Sequence, residues 1–143
     1  MLHFLVATHG PLAAALIQCA NMVFGELPNT SSVSLTEEDG IEKFKQDFDD
    51  EIQTILHSGV QGVVVLCDLE CGTPYNVACT YAFNENFAIP VEVITGVNFP
   101  TLLMTADFAE ETDVKLVIEK LRTEALSTIV IAKPVATEQD DDF

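Results

Sequence analysis

A histidine stands near the start of the chain, at a point where a predicted strand gives way to a predicted helix. The apolar run Leu5-Val6-Ala7 predicts a buried strand, Gly10 suits a tight turn, and Pro11 suits the first position of a helix. His9 is therefore expected at the carboxyl end of a strand, beside the exposed N–H groups of a helix start, where ligands collect in open α/β sheets. A neutral imidazole nitrogen at this place is a competent nucleophile.

Two later segments repeat this strand, glycine and proline pattern. Asp68 follows an apolar run and precedes Gly72 and Pro74, and Asn98 precedes Pro100 in the same way. Because the carboxyl ends of parallel strands share one edge of a sheet, Asp68 and Asn98 are expected within reach of His9.

Phosphoryl transfer is the chemistry that this set of residues predicts. Asp68 could accept one ring N–H of His9, which would fix the tautomer and stabilise the cation formed on phosphorylation. Backbone N–H groups at helix starts and a threonine hydroxyl could hold the phosphoryl oxygens. We expect Gly10, Gly72 and Thr73 to bind phosphate in this way, and the rim of the site to contain three further residues: Thr8, Cys71 and Asn98. The scheme requires no metal ion and no cofactor.

A purely structural interpretation fits the same residues and stays open at this level. A histidine after a strand is commonly a satisfied loop residue, and Asp68 and Thr73 could be a turn residue and a helix cap. Cys67, Cys71 and Cys79 have spacings that could suggest zinc, but a structural site requires four converging ligands. Small buried hydrophobic residues are the favoured interpretation of these cysteines.

The elements that must position the site alternate between strand and helix. Apolar runs, helical periodicity and turn residues predict strands at Leu2–Ala7, Val33–Leu35, Val60–Cys67, Val91–Thr95 and Ser127–Ala132, and helices at Pro11–Phe24, Thr36–His57, Pro74–Asn84, Pro100–Phe108 and Glu111–Glu124. This alternation predicts an α/β fold: an open, mainly parallel sheet of about four strands with helices on both faces. We expect one domain over residues 1–133 and a disordered acidic tail over residues 134–143.

Charge and composition exclude several classes of partner. The 143 residues contain 6 Lys and Arg against 23 Asp and Glu, for a formal net charge of −17. Nucleic acids and anionic membrane surfaces are therefore expected to be repelled, whereas a basic protein partner would be attracted. The sequence also lacks the basic start of a secretory signal and any apolar run long enough to cross a bilayer, so we expect a cytoplasmic protein.

Three motifs resemble those of one family in the same order and at comparable spacing. Ala7-Thr8-His9-Gly10 resembles the phosphohistidine segment of mannose-type IIA components of the bacterial sugar phosphotransferase system. Asp68 followed by Gly72-Thr73-Pro74-Tyr75-Asn76 resembles that family's Asp and Gly-Gly-Ser-Pro-Phe-Asn stretch, and Gly96-Val97-Asn98-Phe99-Pro100 resembles its third motif. Cys71 departs from the family pattern by standing where a glycine is typical, and Glu70 adds a negative charge beside it.

The resemblance implies a role and a set of partners. His9 would accept a phosphoryl group from the phosphocarrier HPr and pass it to a IIB component, with Asp68 as the partner of the histidine and Thr73 in place of a serine near the phosphate. Contact with the membrane would occur only through the transporter complex. The resemblance further implies a homodimer that exchanges a C-terminal antiparallel strand, for which Ser127–Ala132 is the candidate.

Two other functions remain open from the sequence. A related phosphocarrier subunit of dihydroxyacetone kinase also uses a histidine at a strand end, although the second and third motifs resemble the sugar-transport branch more closely. A non-catalytic regulatory or ligand-binding module on the same fold would leave His9 with a structural role only.

Overall fold

Four strands form an all-parallel sheet within residues 1–134, the part of the chain that the computed structural model describes. The strands are β1 (Leu2–His9), β2 (Thr30–Leu35), β3 (Gly62–Cys67) and β4 (Val91–Ile94), and they lie in the order β2-β1-β3-β4 across the sheet. The predicted open, parallel α/β architecture is thereby confirmed. The predicted acidic tail lies outside the described residues, apart from Pro134.

Helices cover both faces of the sheet, as predicted. They are α1 (Leu12–Val23), α2 (Gly40–His57), α3 (Thr73–Ala82), α4 (Phe99–Met104), continued by a 3-10 turn at Thr105–Phe108, and α5 (Val114–Leu126). Because successive strand residues point to opposite faces, Leu5 and Ala7 pack with α2 and α3, whereas Phe4 and Val6 pack with the helices on the other face. No helix in residues 1–134 combines the length and apolar character that a membrane span requires.

The strand order places the end of β1 at a topological switch point. From β1 the chain first crosses to β2 on one side and then to β3 on the other side, and such reversals open a crevice at the carboxyl edge of an α/β sheet. His9 is the last residue of β1, and Asp68 directly follows Cys67, which pairs in register with Ala7. The fold therefore brings these two residues to the same crevice.

The start of α2 differs from the prediction. The sequence pattern predicts that this helix begins at Thr36, but residues 36–39 form a separate turn that the Thr36 hydroxyl closes by accepting from the Asp39 N–H (3.2 Å). Gly40 has a left-handed φ of +75°, which an α-helix does not accommodate in its interior. The helix therefore begins at Gly40, four residues later than predicted.

The predicted strand Ser127–Ala132 is wrong as an element of the single chain. Ser127 and Thr128 extend the last turn of α5 through hydrogen bonds to Glu124 and Ala125, and the segment after them has no strand pairing among residues 1–134. A strand requires a neighbour to pair its N–H and C=O groups. Three apolar side chains remain 78–92% exposed there: Ile129, Val130 and Ile131.

Candidate active site

His9 and Asp68 form a hydrogen-bonded pair at the carboxyl edge of the sheet. Nδ1 of His9 lies 2.9 Å from Oδ2 of Asp68, and the same oxygen accepts the backbone N–H of His9 at 3.1 Å. Oδ1 of Asp68 accepts the N–H of Leu69 at 3.1 Å. The imidazole is 40% exposed, whereas the carboxylate is 14% exposed. The protein therefore holds the acid firmly and leaves the imidazole accessible to other molecules.

This contact lowers the pKa of Asp68 and selects the tautomer of the neutral His9 ring. Partial burial raises the pKa of Asp68. The two hydrogen bonds from His9 and the charge of its ring lower it by more than this, so the net pKa lies below the usual value. An ionised carboxylate can only accept hydrogen bonds, and in the neutral imidazole Nδ1 must therefore carry the proton. Nε2 then has a free lone pair, which is what a nucleophile requires.

Gly72 brings the start of α3 against Nε2. It is the N-cap residue of that helix, with a left-handed φ of +92°, and a Cβ built on it would lie 3.1 Å from Nε2 and 3.2 Å from Cε1 of His9. The first N–H groups of a helix have no partner within the helix and favour anions. The predicted cap at Thr73 is wrong, because Gly72 occupies that position and Thr73 is the first residue of α3.

We expect Gly72→Ala to slow phosphorylation of the protein by about tenfold or more, since the methyl group would crowd the reacting nitrogen. The backbone of Gly72 (φ +92°, ψ 178°) lies in a region that is essentially restricted to glycine, so the substitution also adds ~1–3 kcal/mol of strain. Gly59→Ala is the matched control, because Gly59 has a φ of +85° and a Cβ added to it would meet only open space. Phosphorylation rates and melting temperatures of both variants separate the effects: equal rates in the two variants would contradict a role for the Gly72 contact.

Two of the predicted site residues, Thr8 and Gly10, form hydrogen bonds that support the turn between β1 and α1. Thr8 is fully buried, and its Oγ1 accepts the N–H of Ala13 at 2.8 Å, so its prediction as a rim residue is wrong and its hydroxyl satisfies the first turn of α1. The N–H of Gly10 donates to the carbonyl of Leu35 at 2.7 Å. That amide is paired with Leu35 in this structure, and phosphate binding by Gly10 stays a prediction.

The remaining predicted rim residues lie on different parts of the surface. Cys71 is exposed in the loop before Gly72 and has no positive φ, so the glycine typical of this position is not required for the turn. Asn98 caps α4 by accepting the N–H of Thr101 at 2.9 Å and donates to Oγ1 of Thr128 at 3.1 Å. Asn98 lines a cavity next to β4 that does not include His9.

His9 and Gly10 also line a cleft of about 480 Å³ between the end of β1 and the start of α2. Five further residues of this cleft were not identified from the sequence: Leu35, Thr36, Glu37, Gly40 and Ile41. None of the residues lining it is a lysine or arginine. The register between β1 and β2, which pairs His9 with Leu35, explains the proximity, and sequence periodicity does not reveal which strands are neighbours.

The other two histidines form hydrogen bonds away from the site, and the cysteines differ in how deeply they are buried. Burial lowers the pKa of His3 to about 4, and its Nε2 forms a 2.8 Å hydrogen bond with Oγ of Ser31. Nδ1 of His57 lies 2.7 Å from the carbonyl of Gln53 within α2. Cys67 is fully buried, as expected of a small hydrophobic residue, and burial raises the pKa of its thiol to about 12. The same interpretation is wrong for Cys71, which is exposed, whereas Cys79 is half-buried.

Comparisons with known proteins agree with the fold and with the sequence motifs. A family model described as "PTS system fructose IIA component" matches residues 3–122. The chain is 26% identical over 145 residues to the sorbose-specific EIIA component of Lacticaseibacillus casei, covering 99% of this chain and 100% of that protein. It is 26% identical over 122 residues to the fructose-specific EIIA component of Bacillus subtilis, covering 85% and 80% of the two chains.

A solved structure supports the same assignment in three dimensions. The mannose/sorbose-specific IIA subunit from Enterococcus faecalis superposes with a TM-score of 0.74 at 26% sequence identity, covering 94% of this chain and 98% of that one. The matched family model spans most of the chain, including both His9 and Asp68. The chain belongs to the mannose/fructose/sorbose IIA family and is a IIA component of a sugar phosphotransferase system.

Proposed function

We propose that this IIA component carries a phosphoryl group on Nε2 of His9, accepts it from HPr and passes it to a IIB component. The observation that carries the proposal is the 2.9 Å contact between Nδ1 of His9 and Asp68. In the neutral imidazole this contact leaves the lone pair on Nε2, and Nε2 is the ring nitrogen that faces the start of α3 through Gly72.

The transfer follows from this arrangement without a metal ion or a cofactor. The lone pair of Nε2 attacks the phosphorus carried by HPr, and the bond between phosphorus and the HPr side chain breaks with its electron pair returning to that side chain. The proton on Nδ1 stays in its hydrogen bond to Asp68, so the cationic phosphoimidazole faces a carboxylate. In the second transfer a nucleophile of IIB takes the phosphoryl group, and the electron pair returns to Nε2.

The phosphoryl oxygens require donors, and the start of α3 is where we place them. Phosphoryl transfer depends mainly on positioning and on stabilisation of charge. The unpartnered N–H groups of the first turn of α3, together with the Thr73 hydroxyl, supply hydrogen bonds on the side of the ring where Nε2 lies. The 40% exposure of the imidazole is consistent with its use by two macromolecules in turn.

Incubation with phosphoenolpyruvate, Enzyme I and HPr tests this function. We expect an acid-labile phosphate on the protein that disappears when a IIB component is added, and NMR of the imidazole nitrogens should identify Nε2 as the modified atom. A protein that gains no phosphate under these conditions would contradict the proposal. Phosphate on Nδ1 would contradict the assigned role of Asp68, because that nitrogen is the one it contacts.

A homodimer is the second part of the proposal, and the exposed segment after α5 supports it. β4 is at the edge of the sheet, and Ile129, Val130 and Ile131 follow α5 as an apolar strip with no strand partner among residues 1–134. An edge strand and an unpaired apolar segment can satisfy each other in a second copy of the chain. Exchange of this segment would bury side chains that are otherwise in water.

We expect Ile131→Asp to convert the dimer to a monomer, because a charge would be buried in the exchanged strand. Light scattering or sedimentation measures the mass directly. Leu116→Asp introduces the same charge at an exposed position of α5 (46% exposed) and should leave the mass unchanged. A wild-type protein that is monomeric at micromolar concentration would refute strand exchange.

A further inference from the structure

We infer that the cleft beside His9 is a docking site for the donor protein, and that it selects a donor with an apolar side chain flanked by a cation. This inference rests on the proposed function and deepens it by naming the surface that recognises HPr. We define the docking cleft as the space between the end of β1 and the start of α2 that is lined by Leu35, Thr36, Glu37, Ile41 and the two glycines Gly10 and Gly40.

The shape of the docking cleft provides room for an incoming side chain. Its volume of about 480 Å³ exceeds what one side chain needs, and a Cβ built at Gly10 or at Gly40 meets nothing within 4 Å. Both glycines have positive φ values, so larger residues are disfavoured at these two places. The reacting imidazole forms part of the same lining, and any group seated here is therefore next to the atom that receives phosphate.

Apolar side chains give the docking cleft its affinity for an apolar group. Ile41 is 51% exposed at the first turn of α2, although the apolar stripe of that helix otherwise packs on the sheet. Leu35 is partly buried beside it. Exposed apolar surface around a reactive centre is typical of protein contact sites, and the burial of Ile41 by a partner would remove this surface from water.

The charge of the docking cleft determines what must surround that apolar group. Glu37 is exposed at its edge and Asp68 is bonded to His9, so two carboxylates face a site that receives an anionic phosphoryl group. Within residues 1–134, Lys43, Lys45 and Arg122 pair with acids of their own helices. Because the cleft has no cation in its lining, the donor must bring the positive charge that offsets these anions.

The experiment compares a protein donor with a small donor that needs no docking. Phospho-HPr and phosphoramidate each phosphorylate the intact protein, and the measured quantity is the ratio of kcat/KM for phospho-HPr to the rate constant for phosphoramidate. We expect Glu37→Lys and Ile41→Ser each to lower this ratio about tenfold, which corresponds to a loss of ~1.4 kcal/mol in recognition. Glu37→Lys should also make the phospho-HPr reaction less sensitive to salt.

Matched controls introduce the same changes at exposed positions away from the docking cleft. Glu85→Lys makes the same charge reversal after α3, and Leu116→Ser removes an exposed leucine on α5. We expect both controls to keep the wild-type ratio, and circular dichroism melting to confirm that all four variants fold. Equal ratios in Glu37→Lys and Glu85→Lys, or an unchanged ratio in Ile41→Ser, would overturn the docking site. A wild-type protein labelled by neither donor would instead overturn the proposed function itself.

Discussion

Replacing His9 by glutamine is expected to abolish phosphorylation from HPr, with a loss of at least ~10³-fold that leaves no measurable acid-labile phosphate. Glutamine has an amide nitrogen whose lone pair is delocalised into the carbonyl group, so it offers no nucleophile. Its side-chain NH2 can still donate to Oδ2 of Asp68, as Nδ1 of His9 does at 2.9 Å. The fold should therefore survive while the chemistry is lost.

His57→Gln is the matched control for this variant. His57 lies at the end of α2, where its Nδ1 contacts the carbonyl of Gln53, and it is not part of the docking cleft. Its replacement should leave the incorporation of labelled phosphate unchanged, and mass spectrometry after alkaline digestion should locate the phosphate on the peptide that contains His9. Persistent labelling of the His9→Gln protein would assign the phosphate to a different residue.

The sequence predicted the fold and the central pair because both depend on strongly patterned features. Buried apolar strands that alternate with helices have few ways to pack other than a parallel sheet, and the glycine and proline residues after each strand marked where the site would lie. His9 and Asp68 converge because β1 and β3 are neighbours. Asn98 does not join them because it follows β4, which lies one strand further out.

The parts that the sequence did not predict depend on contacts between distant segments. The pattern around Thr8 predicts a rim residue, whereas its hydroxyl satisfies the Ala13 N–H in the interior. The docking cleft requires the pairing of β1 with β2 and the left-handed turn at Gly40, neither of which has a periodic signature. The segment Ser127–Ala132 has the composition of a strand, but composition does not say whether the pairing partner belongs to the same chain.

Asp68→Asn is expected to slow phosphoryl transfer by about 10- to 100-fold, which corresponds to the ~1.5–3 kcal/mol that a hydrogen bond to a charged group contributes. Three N–H groups donate to the two oxygens of Asp68: the backbone and Nδ1 of His9, and the backbone of Leu69. Asparagine has a single acceptor oxygen. If its NH2 group faces His9, the ring must adopt the tautomer that protonates Nε2, and that nitrogen loses its nucleophilic lone pair.

We also expect Asp68→Asn to lower the free energy of unfolding by an amount that depends on pH. Burial raises the pKa of Asp68, but the hydrogen bonds and charge of His9 outweigh this effect and hold it below the usual value. The carboxylate therefore stabilises the fold above the unfolded-state pKa of ~3.9, and this contribution is lost as the pH falls through the lower folded-state pKa. The difference in unfolding free energy between wild type and Asp68→Asn should consequently be largest near neutral pH and shrink below about pH 4.

Asp113→Asn distinguishes the role of Asp68 in transfer from a general loss of stability. Asp113 caps α5 by accepting the N–H groups of Lys115 and Leu116. Asparagine can still accept these N–H groups, but it loses the negative charge that stabilises a helix start by about 0.3–1 kcal/mol. Asp113 is not in contact with His9, and the transfer rate of its amide variant from phospho-HPr should equal that of wild type. Stopped-flow transfer rates measured alongside denaturant unfolding make the comparison. Wild-type kinetics in Asp68→Asn would refute the proposed electrostatic role, because an amide cannot supply the anion that the phosphorylated imidazole faces.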